Sequence, residues 1–366
     1  MSPKNAHITK ELGQKKVPLR DRIELDKLTV DQRFKYVKNL VVWHPKMKQL
    51  YDEIRKVHHN LLSNDEPDCM SLFGPTRVGK STIANQYFKK HPSFDIEDKI
   101  LSPWTNNFSV AEVTKIPVLY IRQIDVPASI GSIINSFLKS MGQPLPFTDR
   151  KLYLQTTKLK QLLVHCGTQL IILDEVQHFV DRNKKRLLSD SADWLKGLII
   201  DTKIPIVLMG TLEAEKIFTN DQLEGRFKNN QKLFPFNCHE QNDRINFRKL
   251  LKTIDDSLPL KCESGLTNDD TWERIYLATE GKVGLVIDFI KRSVLLAFKL
   301  GAESLDHNIL SKIYLDHYST FSYCESNPFS PTFNIEKSFE LDIKKRSYSN
   351  TYGMKTNNRG NKSKEL

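Results

Sequence analysis

No apolar stretch in the 366-residue chain approaches the roughly 18 residues that a membrane-spanning helix requires. A helical membrane protein is therefore excluded, and no membrane is expected among the partners. The first residues carry Lys4, Lys10, Lys15 and Lys16 with no apolar segment behind them, which does not fit a secretory signal. The 5 cysteines, Cys69, Cys166, Cys238, Cys262 and Cys324, include no C-x-x-C pair, and their odd number leaves one over. This argues against a disulfide scaffold or a structural zinc site and for reduced thiols in a cytoplasmic protein. No internal repeat is visible. Negative charge is also short: 44 Asp and Glu stand against 55 Lys and Arg, a formal net charge of +11, which makes a polyanion a natural partner. Part of the excess lies at the C-terminus, where Lys344, Lys345, Arg346, Lys355, Arg359, Lys362 and Lys364 stand among Ser, Asn and Gly. That stretch reads either as a solvated tail or as one that touches DNA.

What is present is a phosphate-binding motif. Gly74-Pro75-Thr76-Arg77-Val78-Gly79-Lys80-Ser81 spells G-x-x-x-x-G-K-S, with the apolar Met70-Ser71-Leu72-Phe73 ahead and Thr82-Ile83-Ala84-Asn85-Gln86 behind. Strand, glycine loop and helix together let backbone N–H groups curl around phosphates while the helix dipole faces the same charge. Gly74, Pro75, Thr76, Arg77, Val78 and Gly79 form the cradle in this reading, and Ser81 and Thr82 open the helix. Lys80 reaches the β and γ oxygens and Ser81 holds Mg²⁺. ATP and Mg²⁺ are the expected ligands.

A second element completes the site. Leu170-Ile171-Ile172-Leu173 is an apolar strand ending in Asp174-Glu175, the pattern of a Walker B strand. It delivers Asp174 to the Mg²⁺ shell and sets Glu175 to polarise the attacking water. A further strand, Ile204 to Met209, closes on Gly210-Thr211; Thr211 either senses the γ-phosphate or caps the helix begun by Leu212-Glu213-Ala214. Arg226, in Asp221-Gln222-Leu223-Glu224-Gly225-Arg226-Phe227, is either a finger supplied to a neighbouring subunit's nucleotide or an ordinary surface arginine.

The organisation around these motifs is α/β. Residues 1–28 are polar and basic. Helical patterns run from Thr29 to Leu40 and from Lys46 to Leu62, followed by strands at Met70–Phe73, Val118–Ile121, Leu170–Leu173 and Ile204–Met209 and a last strand before Phe236. Helices near Ser81–Lys90, Ser129–Met141, Tyr153–Cys166 and Ala192–Ile200 alternate with the strands, which predicts a parallel sheet wrapped by helices over 29–236. A smaller all-helical domain is expected over 237–320, with Trp272–Ala278, Val283–Leu300 and His307–Tyr318 as its clearest helices, and an extended basic tail over 321–366. In that tail Asn327-Pro328-Phe329 is an aromatic turn that either docks on a partner or packs back on the helices.

The loop at Gly74 to Ser81, the strand Leu170 to Glu175, Gly210-Thr211-Leu212-Glu213-Ala214 and Asp221 to Phe227 together resemble the TnsC/TniB family of AAA+ transposition regulators. Asp31-Gln32-Arg33 through Trp43-His44-Pro45, Phe73-Gly74-Pro75-Thr76 and Ile116-Pro117-Val118-Leu119-Tyr120-Ile121 follow the same pattern, so that the likeness covers roughly residues 30 to 320. The resemblance implies an AAA+ P-loop ATPase with a helical lid, which assembles as a ring or helical filament on double-stranded DNA. It also implies a target-selector protein as a partner, and a transposase that is recruited and activated. Lys80 and Ser81 would then serve phosphate and Mg²⁺, Asp174 the metal, Glu175 hydrolysis, Thr211 sensing and Arg226 the finger in trans. Gly281-Lys282-Val283-Gly284 departs from the pattern, offering glycine where many AAA+ lids have a second-sensor arginine, with Lys282 as the candidate replacement. Arg122, Lys139, Arg182, Lys184, Lys185 and Arg186 are candidates for DNA contact or a solvated face. A helicase-loader or replication-initiator ATPase, a DNA scaffold that hydrolyses little, and a small-molecule kinase are the alternatives.

Overall fold

In a computed structural model, the structure describes residues 19, 27–59, 67–101, 108–123, 129–143, 151–179, 185–219, 221–320, 324 and 326–353. The chain forms two compact units: Trp43–Pro235 with Lys282–Gly284, and Met1–Val42, Phe236–Gly281 and Leu285–Leu366. The expected segment 1–28 lies almost wholly outside the described residues, as do residues 354–366 of the expected tail 321–366, with Lys355, Arg359, Lys362 and Lys364.

The first unit is built on a five-stranded parallel sheet. Its strands are β1 (Met70–Phe73), β4 (Val118–Ile121), β5 (Leu170–Leu173), β6 (Ile206–Gly210) and β7 (Asn229–Lys232), in the order β4-β5-β6-β1-β7. β1, β4, β5 and β6 are buried throughout, as expected of short apolar strands covered on both faces. Alternation along each strand divides the core. Leu119, Ile171 and Leu208 join the helices Ile130–Ser140, Leu152–His165 and Lys185–Thr202 on one face, while Tyr120, Ile172 and Val207 join Pro45–His59 and Lys80–Lys90 on the other. The third of these helices is longer than the expected Ala192–Ile200. An unexpected antiparallel hairpin, β2 (Phe94–Leu101) with β3 (Phe108–Lys115), is inserted between the loop helix and β4.

The second unit is helical, with helices Val30–Lys38, Gln241–Asp255, Asp269–Thr279, most of Val283–Leu300, His307–His317 and Ile335–Gly353. The first of these begins with a reciprocal capping box between Thr29 and Gln32 and belongs here rather than with the sheet, contrary to the expected boundary at residue 29. The expected extended tail is a second departure. Phe329 is buried and stacks on Phe289 with ring centroids 5.5 Å apart, and Arg274 donates to the carbonyls of Pro328 and Ser330. Residues 335–353 then form a helix held by a polar hub. Asp342 Oδ2 lies 2.9 Å from His239 Nε2 and accepts from Tyr276 Oη and Arg346 Nε, each at 2.8 Å. Arg346 reaches on to the carbonyls of Phe236 and Glu280. Burial opposes ionisation of Asp342, but the Arg346 charge and these hydrogen bonds hold its carboxyl below the usual range. Arg346 is thus a buttress of this unit, and not part of a solvated tail.

Candidate functional site

β1 delivers the loop. Gly74 N–H donates to the Gly210 carbonyl at 3.2 Å, and Leu233 N–H to the Phe73 carbonyl at 2.9 Å, so the chain leaves β1 clamped between its two neighbours. A Cβ on Gly74 would sit 2.0 Å from the Leu233 carbonyl oxygen; the glycine is required by space. Arg77 at φ +64° and Gly79 at φ +109° turn the loop back, and the buried Val78 anchors it to the core. Helix Lys80–Lys90 then starts from Gly79 with no side-chain cap, which leaves its first N–H groups aimed into the loop. Lys80 is 7% exposed, and its Nζ donates to the Gly74 and Pro75 carbonyls at 2.7 Å each. Burial lowers the Lys80 pKa, against the opposing pull of Asp174 and Glu175. A buried ammonium beside an uncapped helix N-terminus fits a polyphosphate chain.

The carboxylates come from the end of β5. Asp174, 2% exposed, accepts from Glu175 N–H at 2.9 Å, from Tyr120 Oη at 3.1 Å and from the Ser81 hydroxyl. Burial raises the Asp174 pKa, and those hydrogen bonds offset part of the rise. One hydroxyl and one carboxylate meeting at the loop helix form an oxygen donor set suited to Mg²⁺. Glu175 is half-buried with φ +60°, and its Oε2 accepts from Gln177 Nε2. Gln177 Oε1 in turn accepts the Thr211 N–H at 3.1 Å. Among the described residues the buried Thr211 hydroxyl has no hydrogen-bond partner, so it does not cap the segment Leu212–Thr219.

Lys80, Ser81, Asp174, Glu175 and Thr211 therefore gather at the carboxyl edge of β1, β5 and β6. Arg226 does not join them. Its carbonyl accepts from Cys69 N–H, at the start of β1 and thus at the other edge of the sheet, and its Nε and Nη1 are shielded from solvent. Arg122 donates to Asn85 Oδ1 at 3.0 Å and lies over the Tyr120 ring, and Lys139 is exposed on the last turn of its helix. Arg182, Lys184 and the side chains of Lys185 and Arg186 lie outside the described residues.

Three contributors escaped the sequence reading. Tyr120 carried no signal beyond an apolar strand. Gln177 stands two residues past the acidic pair, where a polar side chain is unremarkable. Gly284 was visible only as a departure, and the structure supplies its reason. Its N–H donates to the Arg77 carbonyl at 2.7 Å, and a Cβ there would meet that oxygen at 2.5 Å. Lys282–Gly284 belong to the same unit as the phosphate loop, and Gly284 is the residue that lets this short segment lie directly against it; Lys282 is half-buried.

Residues 33–236, more than half of the chain, match the family described as Bacterial TniB protein. No curated protein matches the chain in sequence. Among solved structures, Cdc6p from Pyrobaculum aerophilum is 14% identical over 88% of this chain and 89% of its own, with a TM-score of 0.55. The Aeropyrum pernix ORC1 protein in complex with DNA is 14% identical over 78% of this chain and 69% of its own, TM-score 0.53. The ORC2 protein of the same organism, in ADPNP–ADP complexes, is 14% identical over 78% and 71%, TM-score 0.51. At such identity the likeness speaks for the fold, which is that of AAA+ ATPases. With the family match running from the first helix to the end of the sheet, the protein belongs to the TniB family and has the AAA+ fold, a five-stranded parallel sheet flanked by helices with a helical C-terminal region.

Proposed function

We propose that this TniB-family protein is an Mg²⁺-dependent ATPase that assembles, with ATP bound, as a ring or helical filament on double-stranded target DNA. There it takes a signal from a target selector and recruits and activates a transposase, and hydrolysis controls disassembly. The observation that carries the ATPase reading is the convergence of Lys80, Ser81, Asp174, Glu175 and Thr211 on one sheet edge. The transposition reading rests on the family match.

Lys80 exchanges its two loop carbonyls for phosphate oxygens, while the N–H groups of the loop and of the first helical turn hold the same chain. Ser81 and Asp174 are the metal ligands, and Tyr120 orients the carboxylate. Bound Mg²⁺ supplies charge compensation on the phosphates. Glu175 orients and deprotonates the attacking water, and the Thr211 hydroxyl, buried and unengaged, hydrogen-bonds the phosphate that is released. Arg226 lies on the edge away from its own loop, as a residue acting on the next copy's nucleotide in a head-to-tail assembly must. Its shielded nitrogens reach that nucleotide only once the side chain turns outward.

The test combines full-length protein, ATP, Mg²⁺ and plain duplex DNA at low ionic strength, read by electron microscopy and by phosphate release. ATP-dependent particles on DNA that dissolve as salt rises, with turnover higher on DNA than off it, are expected. A chain that remains monomeric under these conditions overturns the assembly. Phosphoryl transfer to a small molecule by the monomer without DNA would make it a kinase instead.

A further inference from the structure

Gln177 lies in the single 3-10 turn Val176–Phe179 just beyond β5, and both ends of its carboxamide are engaged. The amide nitrogen donates to Glu175 Oε2, and the amide oxygen accepts the Thr211 N–H at 3.1 Å. The partners dictate this orientation, because a carboxylate only accepts and a backbone N–H only donates. Gly210 makes the room: a Cβ at that position would lie 2.7 Å from Gln177 Oε1 and 3.1 Å from the Ala214 Cβ. Glu175 itself holds φ +60°, a region costly for a residue with a side chain, and so depends on its surroundings to stay there. β5 and β6 are direct neighbours, paired through Leu173 and Leu208, so the relay from Glu175 through Gln177 to Thr211 joins the ends of two adjacent strands.

We propose that Gln177 is a positioning residue that fixes the aim of the Glu175 carboxylate and ties it to Thr211, so that phosphate engagement at the end of β6 and orientation of the base at the end of β5 change together. The inference rests on the reading of Glu175 as the base. Glutamine suits the place because it carries one donor and one acceptor on an arm long enough to span the gap. Asparagine is a methylene shorter, and glutamate would set a second negative charge against Glu175.

Steady-state ATP hydrolysis by the full-length protein on duplex DNA tests this with Gln177→Ala and Gln177→Glu, each alone and combined with Glu175→Gln. Thermal melting and titration with a fluorescent ATP analogue run in parallel. Loss of a hydrogen bond to a charged group predicts a fall in kcat of about ten- to hundred-fold for Gln177→Ala, with KM and analogue affinity within about twofold of wild type. Gln177→Glu should fall at least as far, since like charges push the base aside. In the Glu175→Gln background, Gln177→Ala should change turnover by no more than about twofold, because a residue that acts through Glu175 then has nothing left to aim. Wild-type turnover in Gln177→Ala, parallel losses of affinity and turnover, or losses that multiply in the double variant would each overturn the proposal while leaving the ATPase reading intact. Wild-type turnover by Glu175→Gln would overturn both. Should Gln177→Ala fail to melt cooperatively, Gln177→Asn carries the same comparison.

Discussion

Replacing Gly74 by alanine tests whether the loop is shaped by space or by backbone freedom. The added Cβ would lie 2.0 Å from the Leu233 carbonyl oxygen and 3.0 Å from its carbon. Ordinary contacts are at least about 3.0 Å, so two backbones must part by about 1 Å. They are the backbones joined by the Gly74–Gly210 and Leu233–Phe73 hydrogen bonds. Losing both costs about 2 kcal/mol, and residual overpacking about 1–3 kcal/mol more, for a total of about 3–5 kcal/mol. In a unit of this size that lowers the melting temperature by about 10 °C. Gly79→Ala is the control. There the new Cβ meets only Met47 side-chain atoms at 3.5 Å, and the penalty is the φ of +109° alone, about 1–3 kcal/mol. Melting of the nucleotide-free protein, followed by circular dichroism, should rank wild type above Gly79→Ala above Gly74→Ala. A Gly74→Ala protein that melts within a degree of wild type, or above Gly79→Ala, would refute the steric argument.

Glu175→Gln should keep ATP-dependent assembly on DNA while phosphate release falls at least about a hundredfold; loss of ATP binding instead would remove Glu175 from the role of base. Arg226→Ala should lower turnover, and mixing it with Lys80→Ala subunits should restore part of the activity, because each copy supplies what the other lacks; mixtures no better than the average of their parts would end the in-trans role. Burial holds His44 at a pKa of about 4, and burial followed by the nearby charge of His91 holds His58 at about 4 as well. The unfolded chain binds these protons near pH 6.5, so the stability they contribute is complete above that value and is lost as pH falls toward 4, up to about 3 kcal/mol for His44. Urea unfolding at pH 7.5, 6 and 5 should show the decline, and His44→Asn should flatten it. Asp342→Ala removes the acceptor shared by His239, Tyr276 and Arg346, at a cost of about 2–4 kcal/mol; hydrogen exchange over 335–353 should accelerate, and unchanged protection would show that the helix is held by other contacts.

The strand, loop and helix around Lys80 were legible because each is local. Glycines at fixed spacing and a continuous apolar run encode them within about a dozen residues. Asp174 and Glu175 were legible for the same reason, as was the alternation that gives a parallel sheet. The hairpin Phe94–Leu101 with Phe108–Lys115 was missed because its alternating, half-polar strands do not look like the buried strands of the sheet. β7, Asn-Asn-Gln-Lys, agrees with the last strand expected before Phe236, but nothing apolar marks its bounds, since an edge strand beside β1 needs only its backbone. The helix Ile335–Gly353 does not stand out in the sequence because it is held by the ion pairs of Asp342 and the aromatic contacts of Phe339 with Tyr276, His239 and Trp272, not by a regular apolar stripe.

The sequence alone determined that this chain carries a G-x-x-x-x-G-K-S loop between a strand and a helix, an Asp-Glu pair closing a second apolar strand, and an α/β framework to bring them together. Tertiary structure decided what each group touches: Tyr120 against Asp174 across 54 positions of chain, Gln177 against Thr211 across 34, and Gly284 against Arg77. It also decided that Arg226 stands at the far edge of the sheet and that Arg346 is a buttress. Spacing encodes local backbone shape, but side-chain partnership depends on strand order and helix docking, which no short window of sequence contains.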